Sequence, residues 1–171
     1  MLHNFKTDLA FSDAASDEDF WWDIYKTAFV DLVDWAKCQG DNTGQRSGVD
    51  RVIVLSNGKT ITIDEKKRRD NWNDVLLEYG SFRDGKKVLE GWINKPLVID
   101  YLAYAFMPRR TAILLPWNLL QAAWKKNSEA WLLNPSYKKV KAMNRNYTTH
   151  SVAVPIQELR KAINSAMVIR I

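Results

Sequence analysis

Two apolar strands joined by a tight turn, in the segment GVDRVIVLSNGKTITIDEKKRR (residues 48–69), constrain the fold of this chain more than any other feature. Both arms are rich in β-branched residues, and an Asn-Gly pair between such arms is preferred in two-residue type I′ turns. A two-residue turn at Asn57-Gly58 would place Asp50 opposite Glu65. Because paired strands lie about 5 Å apart, the hairpin predicts a carboxylate pair at one of its ends.

Lysines accompany these carboxylates, and the combination permits two interpretations. Carboxylate oxygens bind a hard cation such as Mg²⁺, and a nearby ammonium group can stabilise the charge that develops during phosphodiester hydrolysis. The alternative is a set of cross-strand ion pairs on an exposed hairpin, each of which contributes less than about 1 kcal/mol and needs no function.

The same residues resemble the motif of the PD-(D/E)XK nuclease superfamily. Gly48-Val49-Asp50 opens one strand, and an apolar residue, an acid, any residue and a lysine end the next. The leading proline of the family motif is replaced by Gly-Val. The resemblance covers residues 16–80 best, and it implies an α+β, restriction-endonuclease-like fold in which a mixed β-sheet is flanked by helices.

Two registers of the acid-x-lysine pair remain open. Asp64 and Lys66 follow the apolar Ile63, as the family pattern requires. Glu65 and Lys67 agree better with the pairing expected for a two-residue turn. Side chains alternate along a strand, so only one of these pairs can face the site. We favour Asp64 and Lys66.

The resemblance implies a Mg²⁺-dependent endonuclease or exonuclease that hydrolyses phosphodiester bonds, with Mn²⁺ as a substitute metal and DNA as the substrate. Asp50, Asp64, Lys66 and Glu65 are the expected catalytic residues, and the three acids are the expected metal ligands. The alternative function is a non-catalytic nucleic-acid-binding or protein-interaction module that keeps the fold. Weaker candidates for supporting roles are Glu18, Asp19, Asp23, Gln45 and Glu78.

The charge distribution agrees with a nucleic-acid partner. Residues 1–57 hold ten acids and five Lys or Arg, whereas residues 58–171 hold ten acids and twenty Lys or Arg. A basic half with interleaved aromatic residues suits a polyanion, although a solvated basic surface is the alternative. The expected nucleic-acid contacts are Arg68, Arg69, Lys138, Lys139 and Lys141.

The length of 171 residues predicts one domain, with residues 1–15 as an N-terminal arm. Patterns along the chain predict a helix over residues 16–39, a polar loop over residues 40–48 and then the hairpin. Further predicted elements are strands at 74–81, 100–107 and 110–116, a second hairpin or exposed turn at 83–91, a helix at 117–133, a partly looped basic segment at 135–150, and a short strand leading into a helix at 151–163.

Composition also bears on the compartment and on further partners. A single cysteine, Cys38, excludes an intrachain disulfide, and two histidines make a zinc site a poor expectation. No signal-peptide pattern and no apolar run of about 18 residues occur. We therefore expect a cytoplasmic protein without a membrane partner, and a homodimer is compatible with the sequence.

Overall fold

The fold is taken from a computed structural model, which describes residues 3–4, 18–38, 48–164 and 167–170. These residues fall into two compact units. The hairpin unit comprises residues 18–38, 48–72, 96–120 and 167–170, and the second unit comprises residues 3–4, 73–95 and 121–164. Within the described ranges, no helix is both long and apolar enough to cross a membrane.

Helices and strands alternate irregularly along the described residues, which confirms the predicted α+β class. In chain order the elements are β1 (His3–Asn4), α1 (Glu18–Ala28), β2 (Leu32–Lys37), β3 (Arg51–Leu55), β4 (Thr60–Arg68), β5 (Asp74–Arg83), β6 (Lys86–Glu90), β7 (Tyr101–Phe106), β8 (Thr111–Pro116), α2 (Trp117–Leu133), β9 (Lys139–Met143), β10 (Thr148–Pro155), α3 (Ile156–Ile163) and β11 (Met167–Arg170), with short 3-10 helices at Trp92–Asn94 and Met107–Arg109.

The hairpin unit is built on a six-stranded sheet in the order β11-β8-β7-β4-β3-β2. The sheet is mixed because β4 and β7 are parallel, whereas every other neighbouring pair is antiparallel. Helix α1 packs on this sheet through side chains at helical spacing, and the strands supply small or branched residues to meet its rings. The shared core consists of Phe20, Trp21, Ile24, Tyr25, Ile53, Ile63, Ala103, Ala105, Ala112 and Leu114.

The second unit is built on a five-stranded sheet in the order β1-β9-β10-β5-β6. The last four strands are antiparallel, and the short β1 runs parallel to β9. Its core combines alternate residues of β5 and β10 with the apolar face of α3. The buried members are Val75, Leu77, Val152, Val154, Leu159 and Ile163.

The predicted two-residue turn at Asn57-Gly58 is wrong. The Leu55 N–H donates to the Lys59 carbonyl at 2.9 Å, so three residues form the loop. Gly58 has a left-handed φ of 78°. This geometry is typical of a three-residue hairpin loop, in which a type I turn is followed by a left-handed glycine.

The longer loop shifts the pairing of β3 and β4 by one residue. Arg51 lies opposite Ile63, and the Asp50 N–H donates to the Ile63 carbonyl at 2.8 Å. Asp50 precedes the first paired residue of β3, and its side chain lies within hydrogen-bonding range of the Asp64 carboxyl group. The predicted pairing of Asp50 with Glu65 is therefore wrong, because a one-residue slip exchanges the two faces of a strand.

The predicted helix over residues 16–39 is correct only in its first half. Helix α1 ends at Ala28, and β2 then pairs antiparallel with β3. Val30 and Val33 are exposed, and Trp35 lies on the core side of the strand. Aromatic and β-branched residues have weak helix preference, so strand pairing outweighs the 3.6-residue pattern here. The start of the predicted helix, at residues 16 and 17, lies outside the described residues.

The predicted strand at 74–81 is present as β5, but it pairs with β10 and β6 and not with the hairpin. The strands therefore form two sheets, where the sequence suggested one. Turn-forming residues Asp84 and Gly85 both have positive φ, so the type I′ turn occurs in the β5–β6 hairpin. The predicted loop at 40–48 and most of the arm at 1–15 lie outside the described residues.

Several other predicted elements are confirmed. The helix at 117–133 matches α2 at both ends, and its residues Leu120, Ala123 and Trp124 are buried as expected. Strands β7 and β8 match the two strand predictions around Pro108. Trp92 is also buried, as expected for a core side chain.

Gly91 lies against backbone atoms, whereas Gly58 has a positive φ in open space, so substitutions at these two positions separate the two effects. A Cβ at Gly91 would lie 2.1 Å from the Glu78 carbonyl oxygen, whereas a Cβ at Gly58 would meet nothing within 4 Å. We predict that Gly91→Ala lowers the free energy of unfolding by about 3 kcal/mol or more, because backbone must move. Gly58→Ala should cost about 1–2 kcal/mol through its left-handed φ alone. Urea unfolding measures both, and equal losses would contradict the packing shown at Gly91.

Candidate active site

Asp50, Asp64 and Lys66 lie together at one end of the β3–β4 hairpin. The Lys66 ammonium is 2.5 Å from Asp64 Oδ1, and Asp50 is within hydrogen-bonding range of the Asp64 carboxyl group. Asp64 and Lys66 are two residues apart on β4, so they share one face of the strand. The structure therefore gathers two carboxylates and one ammonium group, the combination expected for the first of the two registers.

The Asp50 carboxylate is held by the backbone of the opposite strand. Its Oδ2 accepts a hydrogen bond from the Glu65 N–H at 2.7 Å. Since this N–H belongs to the residue that follows Asp64, the bond fixes Asp50 against the acid-x-lysine segment itself. The position of Asp50 thus depends on β4 and not only on the loop that precedes β3.

The Glu65 side chain points to the opposite face of β4. Its Oε1 accepts hydrogen bonds from Tyr25 Oη at 2.9 Å and from Arg51 Nε at 3.0 Å. Only 9% of the Glu65 side chain is exposed. The structure therefore does not bring Glu65 together with Asp50 and Asp64 as a third side-chain ligand, and this part of the prediction is wrong.

Arg51 is the centre of a buried cluster on this second face. It is 1% exposed, and its Nη1 donates to Glu18 Oε2 at 2.9 Å. Its guanidinium also lies 4.0 Å from the centroid of the Trp35 ring, a cation–π contact. Lys37 adds an ion pair to Glu18 at 3.5 Å. These contacts satisfy a buried charge that would otherwise be costly.

The protonation of Asp64 reflects its surroundings. Burial raises the pKa of Asp64 to about 7, because the side chain is 3% exposed and ionises poorly out of water. The Lys66 charge lowers this pKa, whereas Asp50 raises it further through a hydrogen bond and through its like charge. A cation near both carboxylates would favour their ionised forms.

The groups of the Arg51 cluster are also shifted. Burial raises the pKa of Glu65, although hydrogen bonds from Arg51 and Tyr25 oppose that change. Burial raises the pKa of Tyr25 well above its usual value, so its hydroxyl remains a hydrogen-bond donor. The hydrogen bond from Arg51 lowers the pKa of Glu18. The cluster therefore combines a donor phenol with ion pairs around one guanidinium.

The donor set at Asp50 and Asp64 fits Mg²⁺. Mg²⁺ prefers oxygen ligands and is commonly held by one or two carboxylates, with water and substrate phosphates as its other ligands. Mn²⁺ accepts the same ligands. In the part of the chain that the structure describes, no group of three or more His, Cys, Asp or Glu side chains is arranged around a metal position. A metal here would depend on water and substrate for most of its ligands.

The weaker candidates for supporting roles lie elsewhere. Glu18 contacts Arg51 and Lys37, as described above, and Asp19 and Asp23 are exposed on α1. Gln45 lies outside the described residues. Glu78 belongs to β5 in the second unit. The expectation that Glu78 lies on a third strand beside the hairpin is wrong, because β5 pairs in the other sheet.

The predicted nucleic-acid contacts differ in their surroundings. Arg68 is 8% exposed, and its Nη1 donates to Tyr104 Oη at 3.4 Å, so its expected position at an exposed rim is wrong. Arg69 follows it and is half-buried. Lys138 contributes its carbonyl to a hydrogen bond with the Ala153 N–H, and Lys141 is exposed on β9.

Lys139 has a structural role at the end of α2. Its Nζ donates to the carbonyls of Trp131 at 3.3 Å, Asn134 at 2.7 Å and Tyr137 at 2.9 Å. An ammonium group satisfies the free carbonyls and the negative end of the helix dipole. All three N–H donors are used in these contacts, although Lys139 is exposed, and the phosphate contact at Lys139 stays a prediction.

Sequence reasoning did not identify Arg51 and Tyr25 as supporting residues. One signal was available, because Arg51 is two residues before Ile53 and therefore lies on the inward face of the apolar strand. A charged residue at such a position requires a buried partner. The hydroxyl of Tyr25 gave no comparable signal, since aromatic residues at helical spacing are ordinarily core residues.

Comparisons of the chain with protein-family models, with curated proteins and with solved structures found no match.

The Arg51 cluster predicts a specific pattern of stability. Arg51→Met should lower the free energy of unfolding by about 3–5 kcal/mol, because it leaves the Glu65 carboxylate buried without its cation. The double variant Arg51→Met/Glu65→Met should regain much of that loss, since it removes both charges. Lys37→Met, at the exposed end of the cluster, should change stability by less than about 1 kcal/mol. Urea unfolding of the four proteins checks this, and a double variant no more stable than Arg51→Met would contradict it.

The raised pKa of Asp64 predicts how stability varies with pH in EDTA. Below about pH 4, Asp64 is protonated in both the folded and the unfolded chain. Between about pH 4 and pH 7 the unfolded chain ionises more readily, so the contribution of Asp64 is lost as pH rises, by up to about 4 kcal/mol. The difference in unfolding free energy between wild type and Asp64→Asn should fall over this range. Parallel stability curves for the two proteins would contradict the environment described for Asp64.

Proposed function

We propose that the chain is a Mg²⁺-dependent nuclease that hydrolyses phosphodiester bonds in DNA. The observation that carries this proposal is the proximity of the Asp50 and Asp64 carboxyl groups, which lie within hydrogen-bonding range, with the Lys66 ammonium 2.5 Å from Asp64. The arrangement agrees with the acid-x-lysine motif of the PD-(D/E)XK superfamily, to which we propose the chain belongs. A protein that only bound nucleic acid would have no use for two carboxylates facing a phosphate.

Each residue of the site has a role in this proposal. Asp50 and Asp64 would hold Mg²⁺ through their carboxylate oxygens. When bound, Mg²⁺ supplies a Lewis acid for the phosphate and favours deprotonation of a water molecule. The Lys66 ammonium group lies beside Asp64, where it can donate to a phosphate oxygen and stabilise the negative charge that develops.

The surroundings of the site support these roles. The hydrogen bond from the Glu65 N–H restricts the rotation of the Asp50 carboxylate. The Lys66 side chain is 33% exposed, so the ammonium group lies between the buried acid and solvent. A phosphate that approaches from solvent would meet Lys66 while the carboxylates remain behind it, which favours entry of an anion to an acidic site.

Basic residues elsewhere in the chain support a polyanionic substrate. The second unit holds twelve Lys or Arg against six Asp or Glu in residues 73–95 and 121–164. Such an excess attracts nucleic acid and accelerates its association at low ionic strength.

Cleavage assays with supercoiled and linear DNA in Mg²⁺ or Mn²⁺ test the proposal. Asp50→Ala, Asp64→Asn and Lys66→Ala should each reduce the cleavage rate by at least about 10²-fold, because each removes a group that contacts the metal or the phosphate. EDTA should abolish cleavage by the wild type.

Lys67→Ala is the matched control, because Lys67 is the neighbouring lysine and lies on the other face of β4. It should retain most of the wild-type rate. Survival of cleavage in Asp50→Ala, or loss in Lys67→Ala with survival in Lys66→Ala, would overturn the assignment. Circular dichroism establishes that each variant is folded.

A further inference from the structure

A row of side chains crosses the four antiparallel strands of the second unit. Lys141 of β9 lies opposite His150 of β10, and His150 lies opposite Gly80 of β5. Two residues along β5, Phe82 lies opposite Lys87 of β6. Opposed residues share a face of a sheet, as do residues two apart on one strand. The two central strands therefore present rings, and the two outer strands present lysines.

The two rings lie against each other on this face. The centroids of Phe82 and His150 are 4.5 Å apart, with their planes inclined by 32°. Both rings are half-buried, whereas Trp124 and Trp131 in the same unit are buried. The edge of the His150 ring is fixed from the side by Tyr79, whose hydroxyl lies 3.5 Å from Nδ1. Contacts with neighbouring rings therefore hold Phe82 and His150 in place, while part of each ring remains exposed to solvent.

Gly80 leaves room for this arrangement. A Cβ there would lie 2.8 Å from Lys87 Cε and 3.2 Å from Phe82 Cε2. The aliphatic stem of Lys87 therefore extends over the glycine toward the rings, in the way that long basic side chains lie along apolar surface. A larger residue at position 80 would displace both neighbours.

A positively charged side chain lies at each end of the row. Lys141 and Lys87 are exposed. Burial lowers the pKa of His150, and the charge of Lys141 lowers it further, so the ring is neutral at pH 7.5. Lys87 also pairs with Glu90 at 2.6 Å, an exposed contact that a phosphate can replace. Strands lie about 4.8 Å apart and rise about 3.4 Å per residue, so three strand spacings and a two-residue step set the two lysine backbones about 16 Å apart across the rings.

We propose that this row, named here the ring row (Lys141, His150, Phe82 and Lys87), binds a single-stranded segment of nucleic acid. Unpaired bases stack on Phe82 and His150, and the flanking phosphates contact Lys141 and Lys87. Aromatic residues stack on every base through its π-face, while lysines follow the backbone. This site goes beyond the proposed nuclease activity and does not depend on it.

The chemistry of the row favours a single strand over the other ligands of a basic surface. Bases in a duplex hide their faces in the stack, so exposed rings gain nothing from a double helix. An acidic protein segment would satisfy the two lysines but would leave the pair of rings without a matching planar partner. In a single strand, phosphates lie on either side of the bases along the backbone. The ring row likewise places one lysine on either side of its two rings.

Binding by the full chain in EDTA tests the proposal. The probes are a fluorescein-labelled thymidine oligonucleotide of about 15 nucleotides and a duplex of the same length. Fluorescence anisotropy should show tighter binding of the single strand. Phe82→Ala and His150→Ala should each weaken that binding by about 5- to 150-fold, whereas Phe82→Trp should retain it. Lys141→Ala should reduce the slope of log affinity against log salt by about 0.7.

Lys161→Ala is the matched control for Lys141, because Lys161 is an exposed lysine on α3. Its salt slope should equal that of the wild type. Unchanged single-strand binding in folded Phe82→Ala, an equal loss in Phe82→Trp, or equal weakening of duplex binding would overturn the proposal.

Asp50→Ala separates this site from the proposed nuclease site. It should bind the single strand as tightly as the wild type even though it does not cleave DNA. Cleavage that depends on Asp50 without an effect of Phe82 on binding would reject the ring row alone. Binding that depends on Phe82 without any cleavage would reject the nuclease proposal alone.

Discussion

The pairing of β3 with β4 determines which side chains meet at the candidate site. Three loop residues precede β4, and this number places Arg51 opposite Ile63, with the Asp50 side chain beside the Asp64 carboxyl group. With one loop residue fewer, Asp50 would face Glu65, and Asp64 and Lys66 would lie on the face now occupied by the Arg51 cluster. The conformation of Gly58 thus decides whether the two acids come together, although the glycine lies far along the hairpin from them.

The two faces of β4 carry different sets of charged side chains. Asp64 and Lys66 lie on one face, and Glu65 lies on the other, where Tyr25 and Arg51 hold it. The backbone N–H of Glu65 nevertheless binds Asp50. The Arg51 cluster therefore restrains the strand segment that orients the site, without any of its side chains reaching the acids. Replacing both charges of such a buried pair costs little, whereas removing one partner leaves the other charge buried and unpaired.

Local patterns predicted much of the fold, and non-local pairing decided the rest. The helix at 117–133 and the strands of the hairpin follow from periodicity and turn residues, which act within a few positions. Residues 32–37 were predicted as helix because Trp35 continues a helical stripe, and only pairing with β3 makes them a strand. The sheet to which β5 belongs has no local signal either, since its partner β10 is about 70 residues away.

The candidate site shows the same limit. Its residue types were predictable, because acids and lysines at the ends of apolar strands are visible in the sequence. The choice between Asp64 and Glu65 was not, because it depends on one loop residue at the turn. The contacts of Lys139 with three carbonyls depend on where α2 ends relative to β9, and no pattern around residue 139 indicates them.

The lysine of the site does not neutralise both of its acids, although Lys66 pairs with Asp64. With both carboxylates ionised, Asp50, Asp64 and Lys66 carry a net charge of −1 in a place where Asp64 is almost fully buried. Protonation of Asp64 removes this net charge. Burial of Asp64 and the nearby charge of Asp50 therefore both raise its pKa. A divalent cation achieves the same neutralisation while leaving both carboxylates as ligands. In the proposed function, a metal ion and a proton would compete for these two carboxylates, because burial makes the ionised form of Asp64 costly without a cation beside it.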